Sequence, residues 1–204
     1  MTLEARSLSL WRGERCLCRD LSFRLGGGGI LQFVGPNGSG KTSLMRAVAG
    51  VGRLDEGELL WDEKPASGSV EYRSALLYLG HHTGLKSHLT ATENYLFYQS
   101  IAAYSSGIGA KQALGICGVT EPADRPVATL SMGQRRRAAL ARFLGVKAKL
   151  WLLDEPLTSL DADGIGLVSE LLKSHVAGGG MAILATHQPL PGITAQRLGL
   201  GSAA

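Results

Sequence analysis

Gly35-Pro36-Asn37-Gly38-Ser39-Gly40-Lys41-Thr42 is the stretch on which the fold turns. Its spacing, glycine, four residues, then Gly-Lys-Thr, is the pattern by which a backbone loop wraps a phosphate group. Each part answers a chemical need. Glycines let the chain bend until successive N–H groups face one concavity. The helix that follows turns its positive N-terminal end toward the same anion. Lys41 offers a point charge to the β- and γ-phosphates, with Pro36, Asn37, Ser39 and Ser43 completing the loop and the first turn around it. Thr42 supplies a hydroxyl, a hard oxygen ligand suited to Mg²⁺. So short a string can arise by accident, and its surroundings decide. Ile30 to Val34 is a short apolar run that reads as a buried strand, and Lys41 to Ala49 has helical spacing that stops at Gly50.

Further along, Leu150-Trp151-Leu152-Leu153-Asp154-Glu155 is an apolar strand that ends in two carboxylates. Such a strand puts charge at the carboxyl edge of a sheet, where α/β sheets bind ligands. Asp154 is expected to hold Mg²⁺, and Glu155 to act as general base toward the attacking water. A strand followed by an acidic, helix-capping turn is the plainer alternative, which the phosphate loop disfavours.

Working outward, Leu3 to Leu10 and Cys16 to Leu25 read as strands joined by a turn at Gly13, and Glu58 to Trp61 and Leu76 to Leu79 as further strands. Thr90 to Ile101 reads as a helix opened by the capping box Thr90-Ala91-Thr92-Glu93. The stretch 108–145 reads as mostly helical. Strand character returns at Lys149 to Leu153 and at Met181 to Ala185, with a helix over Asp161 to Val176 between them. Alternating strands and helices imply a mainly parallel sheet with helices on its faces. The fold expected is a single α/β phosphate-loop domain over 1–204. It has an N-terminal antiparallel β part, a core over about 1–84 and 146–204, and an inserted helical lobe over about 85–145.

Composition narrows the partners. The 204 residues are 45% hydrophobic and 19% charged, enough for a substantial core. A net charge of +4 is that of a mildly basic domain, and the dense basic run, Arg135-Arg136-Arg137, has another reading given below. Three cysteines, Cys16, Cys18 and Cys117, form no disulfide framework and fit a reducing compartment. Met1 to Trp11 lacks a signal-peptide pattern, and no apolar run is long enough to span a bilayer. A transport role would therefore need other chains to form the pore.

Leu130-Ser131-Met132-Gly133-Gln134 resembles the LSGGQ signature of the ABC ATPases, with Met132 in place of the first glycine. Phosphate loop, signature, acidic strand and Ala185-Thr186-His187 follow one another in that family's order. The resemblance covers Trp11 to His187 and implies a head-to-tail dimer in which each ATP lies between the phosphate loop of one copy and the signature of the other. Ser131, Gly133 and Gln134 would then meet the γ-phosphate at a second positive helix end. Arg135, Arg136 and Arg137 lie in the first turns of that helix, where the family often has basic residues, so nucleic acid is not an expected partner. By the same resemblance Trp11 stacks on adenine, with a core tryptophan as the alternative. His187 hydrogen-bonds the γ-phosphate and holds Glu155 and the water. Asp161, in Thr158-Ser159-Leu160-Asp161, touches the opposite copy. Where the family has a glutamine that contacts Mg²⁺ and reports to the membrane partner, this chain has Gly80-His81-His82-Thr83-Gly84. His82 stands nearest that place, with His81 the alternative, and imidazole is a poorer partner than an amide oxygen for a hard ion.

Narrower likenesses, at Gly80-His81, Gly84-Leu85-Lys86, Gln134 to Arg142 and Thr186-His187-Gln188-Pro189-Leu190, point to the ATP-binding subunits of cytochrome c maturation. That subfamily implies multipass inner-membrane partners, a place on the cytoplasmic face, a docking groove around residues 80–100, and ATP-driven haem export or release of a haem-loaded haem chaperone. Three alternatives stay open: another ABC exporter, a soluble ABC ATPase of DNA repair or translation, and a non-catalytic nucleotide-binding module.

Overall fold

The computed structural model describes residues 1–201. Strands β1 (Thr2–Arg12) and β2 (Arg15–Gly26) form a hairpin across Gly13-Glu14 and begin an antiparallel sheet. Every second residue of β2 from Leu21 to Leu25 is buried and Ser22 and Arg24 are exposed, the alternation of a sheet with one wet face. β3 (Ile30–Val34) leads through the phosphate loop into α1 (Lys41–Val48). β4 (Glu56–Trp61) and β5 (Lys64–Pro65) complete the antiparallel sheet in the order β2-β1-β4-β5. α2 (Val70–Ala75) and β6 (Leu76–Leu79) follow.

Three helices come next: α3 (Ala91–Ile101), α4 (Ala110–Ile116) and α5 (Met132–Gly145). The Thr90–Glu93 capping box is in place: the Glu93 amide donates to Thr90 Oγ1 at 3.0 Å, and the Thr90 amide to Glu93 Oε2 at 2.8 Å. Between α4 and α5 the helical reading is interrupted by 3₁₀ turns at Glu121–Asp124 and Val127–Thr129. Pro126, which has no N–H to continue a helix, stands at the start of the second.

The chain ends in β7 (Leu150–Asp154), α6 (Ala162–Ala177), β8 (Met181–Ala185) and β9 (Gln196–Gly199). The second sheet has the order β6-β7-β8-β3-β9 and is parallel throughout. Every residue of β7 and β8 is buried, because both faces of the sheet centre are covered. Their side chains alternate between two apolar clusters. Leu150, Leu152 and Ile183 face α1 and the antiparallel sheet. Trp151, Leu153 and Leu184 face α6 and the helices of 91–145, so the helical stretch shares its core with one face of the sheet. Among the described residues no helix is long and apolar enough to cross a membrane.

Candidate active site

The phosphate loop leaves β3 at the carboxyl edge of the parallel sheet. Gly38 and Gly40 take φ values of 77° and 97°, open to glycine at no cost. A side chain at Gly40 would also meet Leu17, whose Cβ would lie 2.8 Å from the new Cβ. α1 starts at Gly40 with no side-chain cap, so the amides of its first turn get no partner from a capping side chain. Lys41 is buried, and its Nζ donates to the carbonyls of Gly35 (2.8 Å) and Pro36 (2.9 Å). Ser39 Oγ, also in the loop, is buried with no hydrogen-bond partner.

β7 delivers the acidic pair to the same edge. Thr42 Oγ1 donates to Asp154 Oδ1 at 3.2 Å, which joins residues 112 apart in sequence. Asp154 is 1% exposed, and its Oδ2 is buried without a partner. Burial pushes this carboxyl above its ordinary range, against the Thr42 hydroxyl and the charges of His81 and Arg136, which pull it down. The same buried charge, after burial itself, helps push the Tyr78 phenol up to about 12. An orphaned carboxylate oxygen beside a threonine hydroxyl is a hard-oxygen donor set that fits Mg²⁺.

Glu155 follows with φ 50°, a left-handed conformation that is strained for a non-glycine residue. Its amide donates to Ala185 O at 2.7 Å. Because Asp154 pairs with Ala185 across β7 and β8, the ends of the two strands lie side by side. His187 Nε2 accordingly comes to 3.8 Å from Glu155 Oε1. A cleft of about 460 Å³ is lined by Asn37, Gly38, Lys41, Thr42, Ser43 and Glu155 together with Arg12 and Arg15; Asp154 lies buried behind Thr42, and His187 borders a separate cleft with Gln188 and Pro189. These two arginines flank the β1–β2 turn, and sequence reading missed them. Their one signal was position, beside Trp11 on a hairpin ahead of the phosphate loop.

Trp11 is half-buried and belongs to neither apolar cluster. Its amide donates to Asp55 Oδ2 at 2.7 Å, and the Arg19 guanidinium lies 5.5 Å from its ring centroid. Trp11 is next to Arg12 but is not itself among the residues lining the 460 Å³ cleft.

The signature is held elsewhere. Ser131 caps α5: the Gln134 amide donates to Ser131 Oγ at 3.1 Å, and the Ser131 amide to Gln134 Oε1 at 2.9 Å. Gly133 is packed so closely on the 158–161 loop that a Cβ there would lie 2.9 Å from Ser159 O. Met132 is 69% exposed. It lines a second cleft of about 310 Å³ with His81, His82, Arg135, Arg136 and Ser159. Within one copy, then, signature and phosphate loop border different clefts.

Both histidines are exposed there, their rings 5.4 Å apart. His81 is one residue nearer the end of β6. His81 and His82 both line the second cleft and neither lines the phosphate cleft, so the cleft linings treat the two alike.

Each arginine of the basic run is turned to the protein. Arg135 donates to Leu130 O (2.9 Å) and Ala128 O (2.8 Å). Arg136 is buried against backbone carbonyls. Arg137 pairs with Asp161 at 2.7 Å. Asp161 also caps α6, accepting from the Gly164 amide at 2.9 Å, and its carboxyl is held below its ordinary range by Arg137 first and that amide second.

Residues 18–158 match the family described as ABC transporter. The chain is 46% identical over 193 residues to the cytochrome c biogenesis ATP-binding export protein CcmA of Yersinia pestis bv. Antiqua, covering 94% of this chain and 88% of that one. It is 44% identical over 201 residues to the corresponding protein, CcmA 1, of Salmonella paratyphi A, covering 97% and 96%. Among solved structures, an ABC transporter ATP-binding protein from Pyrococcus furiosus superposes with a TM-score of 0.84 at 21% identity, over 98% of each chain. A dimeric ATP-binding cassette in a post-hydrolysis state, bound to ADP and phosphate, gives 0.80 at 22% identity, over 91% of this chain and 88% of that one. The chain belongs to the ABC transporter family, as one of its ATP-binding, ATP-hydrolysing subunits.

Proposed function

We propose that this chain is the ATP-hydrolysing subunit of a membrane-bound complex for cytochrome c maturation, acting as a head-to-tail pair on the cytoplasmic face of an inner membrane. The observation that carries the hydrolytic part is the meeting of Thr42 with Asp154 at 3.2 Å, with Glu155 next in the chain and His187 3.8 Å from it. The maturation role rests on relatives of that name, whose likeness runs through nearly the whole chain and not through the nucleotide motifs alone.

In this reading Lys41 exchanges the carbonyls of Gly35 and Pro36 for β- and γ-phosphate oxygens. The uncapped first turn of α1 takes the same phosphates, and Trp11 stacks on the adenine. Thr42, and Asp154 through water, would hold Mg²⁺, which offsets phosphate charge when bound. Glu155 accepts a proton from water as its oxygen bonds to the γ-phosphorus; the bond to the bridging oxygen breaks, leaving ADP and phosphate. His187 holds Glu155 and the γ-phosphate in register. Ser131, Gly133 and Gln134 of a second copy close the site, and Asp161 meets that copy. His82, or His81 beside it, stands where the family reports to multipass membrane subunits, and the work done releases a haem-loaded chaperone.

The test is haem staining of membranes from cells carrying Glu155→Gln. Loss of c-type cytochromes with accumulation of haem-loaded chaperone supports the maturation role. Normal c-type cytochromes, with the variant stable and its ATPase lost, would remove that role and leave the ABC assignment.

A further inference from the structure

We propose that Arg136 is a positioning residue, a bridge through which the signature helix sets the backbone of the catalytic glutamate. Arg136 lies two residues beyond Gln134 on α5 and is 3% exposed. Its Nε donates to Pro156 O at 3.2 Å. Its Nη1 donates to Gly80 O at 3.1 Å and to His81 O at 3.5 Å. Its Nη2 donates to Asp154 O at 3.1 Å and to Glu155 O. One guanidinium thus holds three consecutive carbonyls, at the end of β7 and in the turn after it, and two of the segment after β6.

Burying a cation is costly, and here no carboxylate shares its hydrogen bonds. The rigid five-donor fork of arginine suits this task, whereas lysine brings three donors on one atom. The held turn is the strained one: Glu155 at φ 50° needs its surroundings to over-determine it. Its amide is fixed to Ala185 O at 2.7 Å, and Arg136 fixes the carbonyls on either side and its own. α5 carries Ser131 at its start, so any shift of that helix is passed to residues 154–156. This rests on the reading of Glu155 as the base.

Arg136→Gln and Arg136→Lys are made in the full chain beside Glu155→Gln. Phosphate release against ATP concentration is measured, with thermal midpoints and hydrogen exchange. The expected result for Arg136→Gln is kcat down at least roughly tenfold with KM for ATP within about twofold. Residues 154–158 lose protection while α5 stays protected, and Arg136→Lys regains part of the rate. A kcat within about twofold of wild type in folded Arg136→Gln overturns the bridge. So does a joint fall of kcat, ATP binding and thermal midpoint that lysine leaves unrepaired. Should Arg136→Gln fail to fold, Arg136→Lys decides by the same kcat and KM criteria. If Glu155→Gln retains turnover, the base assignment and the bridge fall together; if it loses turnover while Arg136→Gln keeps it, the bridge alone falls.

Discussion

Helices α1 and α5 both begin where the family places phosphate, yet their N-termini are built in opposite ways. α1 opens on Gly40 with no capping side chain and a lysine folded back on its own loop. α5 opens on Ser131 and Gln134, which satisfy each other's amides. The first end takes no partner from a capping side chain, which leaves its amides to an anion. The second is complete by itself, and the Ser131 hydroxyl keeps its proton to donate outward while its oxygen accepts from Gln134. A cradle whose nucleotide comes from solution gains by leaving the amides of its first turn to that nucleotide. On the proposed head-to-tail pairing, a surface that meets nucleotide held by another copy has to stay folded between encounters.

The contrast breaks most heavily at α1. Lys41→Ala removes charge-assisted bonds worth about 1.5–3 kcal/mol each, so ATP affinity is expected to fall roughly 100-fold, measured by titration with a fluorescent ATP analogue. An affinity within about threefold of wild type would show that the loop amides suffice. Asp154→Asn tests the same end from the strand side. Burial raises the folded-state pKa of Asp154, so the folded chain holds that proton to higher pH than the unfolded chain does. The contribution of the protonated group is therefore present below the ordinary value of 3.8 and is lost as pH rises past it toward the raised value. At neutral pH the ionised group opposes folding. Asp154→Asn is expected to lose ATPase while raising the nucleotide-free thermal midpoint at pH 7, with a gain that shrinks as pH falls toward about 4. A lower midpoint at pH 7 would contradict this.

How far these two ends could be read in advance differs for physical reasons. The phosphate loop and acidic strand were legible because local chemistry demands them: β3, β6 and β8 fall at the expected residues, and the Thr90–Glu93 box forms as spaced. α2 was missed because six residues are too few for a helical period, and its cap, Ser69 accepting from the Tyr72 amide, is a local device. β9 was missed because it is a short, mostly exposed edge strand carrying Gln196 and Arg197. At the site, Arg12 and Arg15 enter through the hairpin's position over the loop, which is a tertiary fact. Arg136 looked like one of three equivalent arginines; only packing separates it from Arg135 and Arg137. His81 and His82 are adjacent, both are exposed and both border the second cleft, so neither sequence nor packing separates them.

Smaller effects are expected at α5, and they separate folding from catalysis there. Ser131→Ala removes the cap and should cost about 1 kcal/mol of stability, a fall in thermal midpoint of roughly 2–4 °C. ATP binding by the isolated chain should not change, and hydrolysis should drop about tenfold through the lost hydroxyl donor. Gln134→Glu sharpens the point. Glutamate serves the capping box as well as glutamine and suits the positive helix end, so stability should stay within about 0.5 kcal/mol of wild type. Its charge would nevertheless face the phosphate of a partner's nucleotide, and turnover should fall a few-fold, more at low salt than at high, since screening weakens the repulsion. Unchanged turnover at low salt would mean that residue 134 serves its own helix and nothing beyond it. A salt-dependent loss with the midpoint unmoved would mean that the closed end of α5 is read by the second copy as a charge pattern, while the open end of α1 is completed by the nucleotide itself.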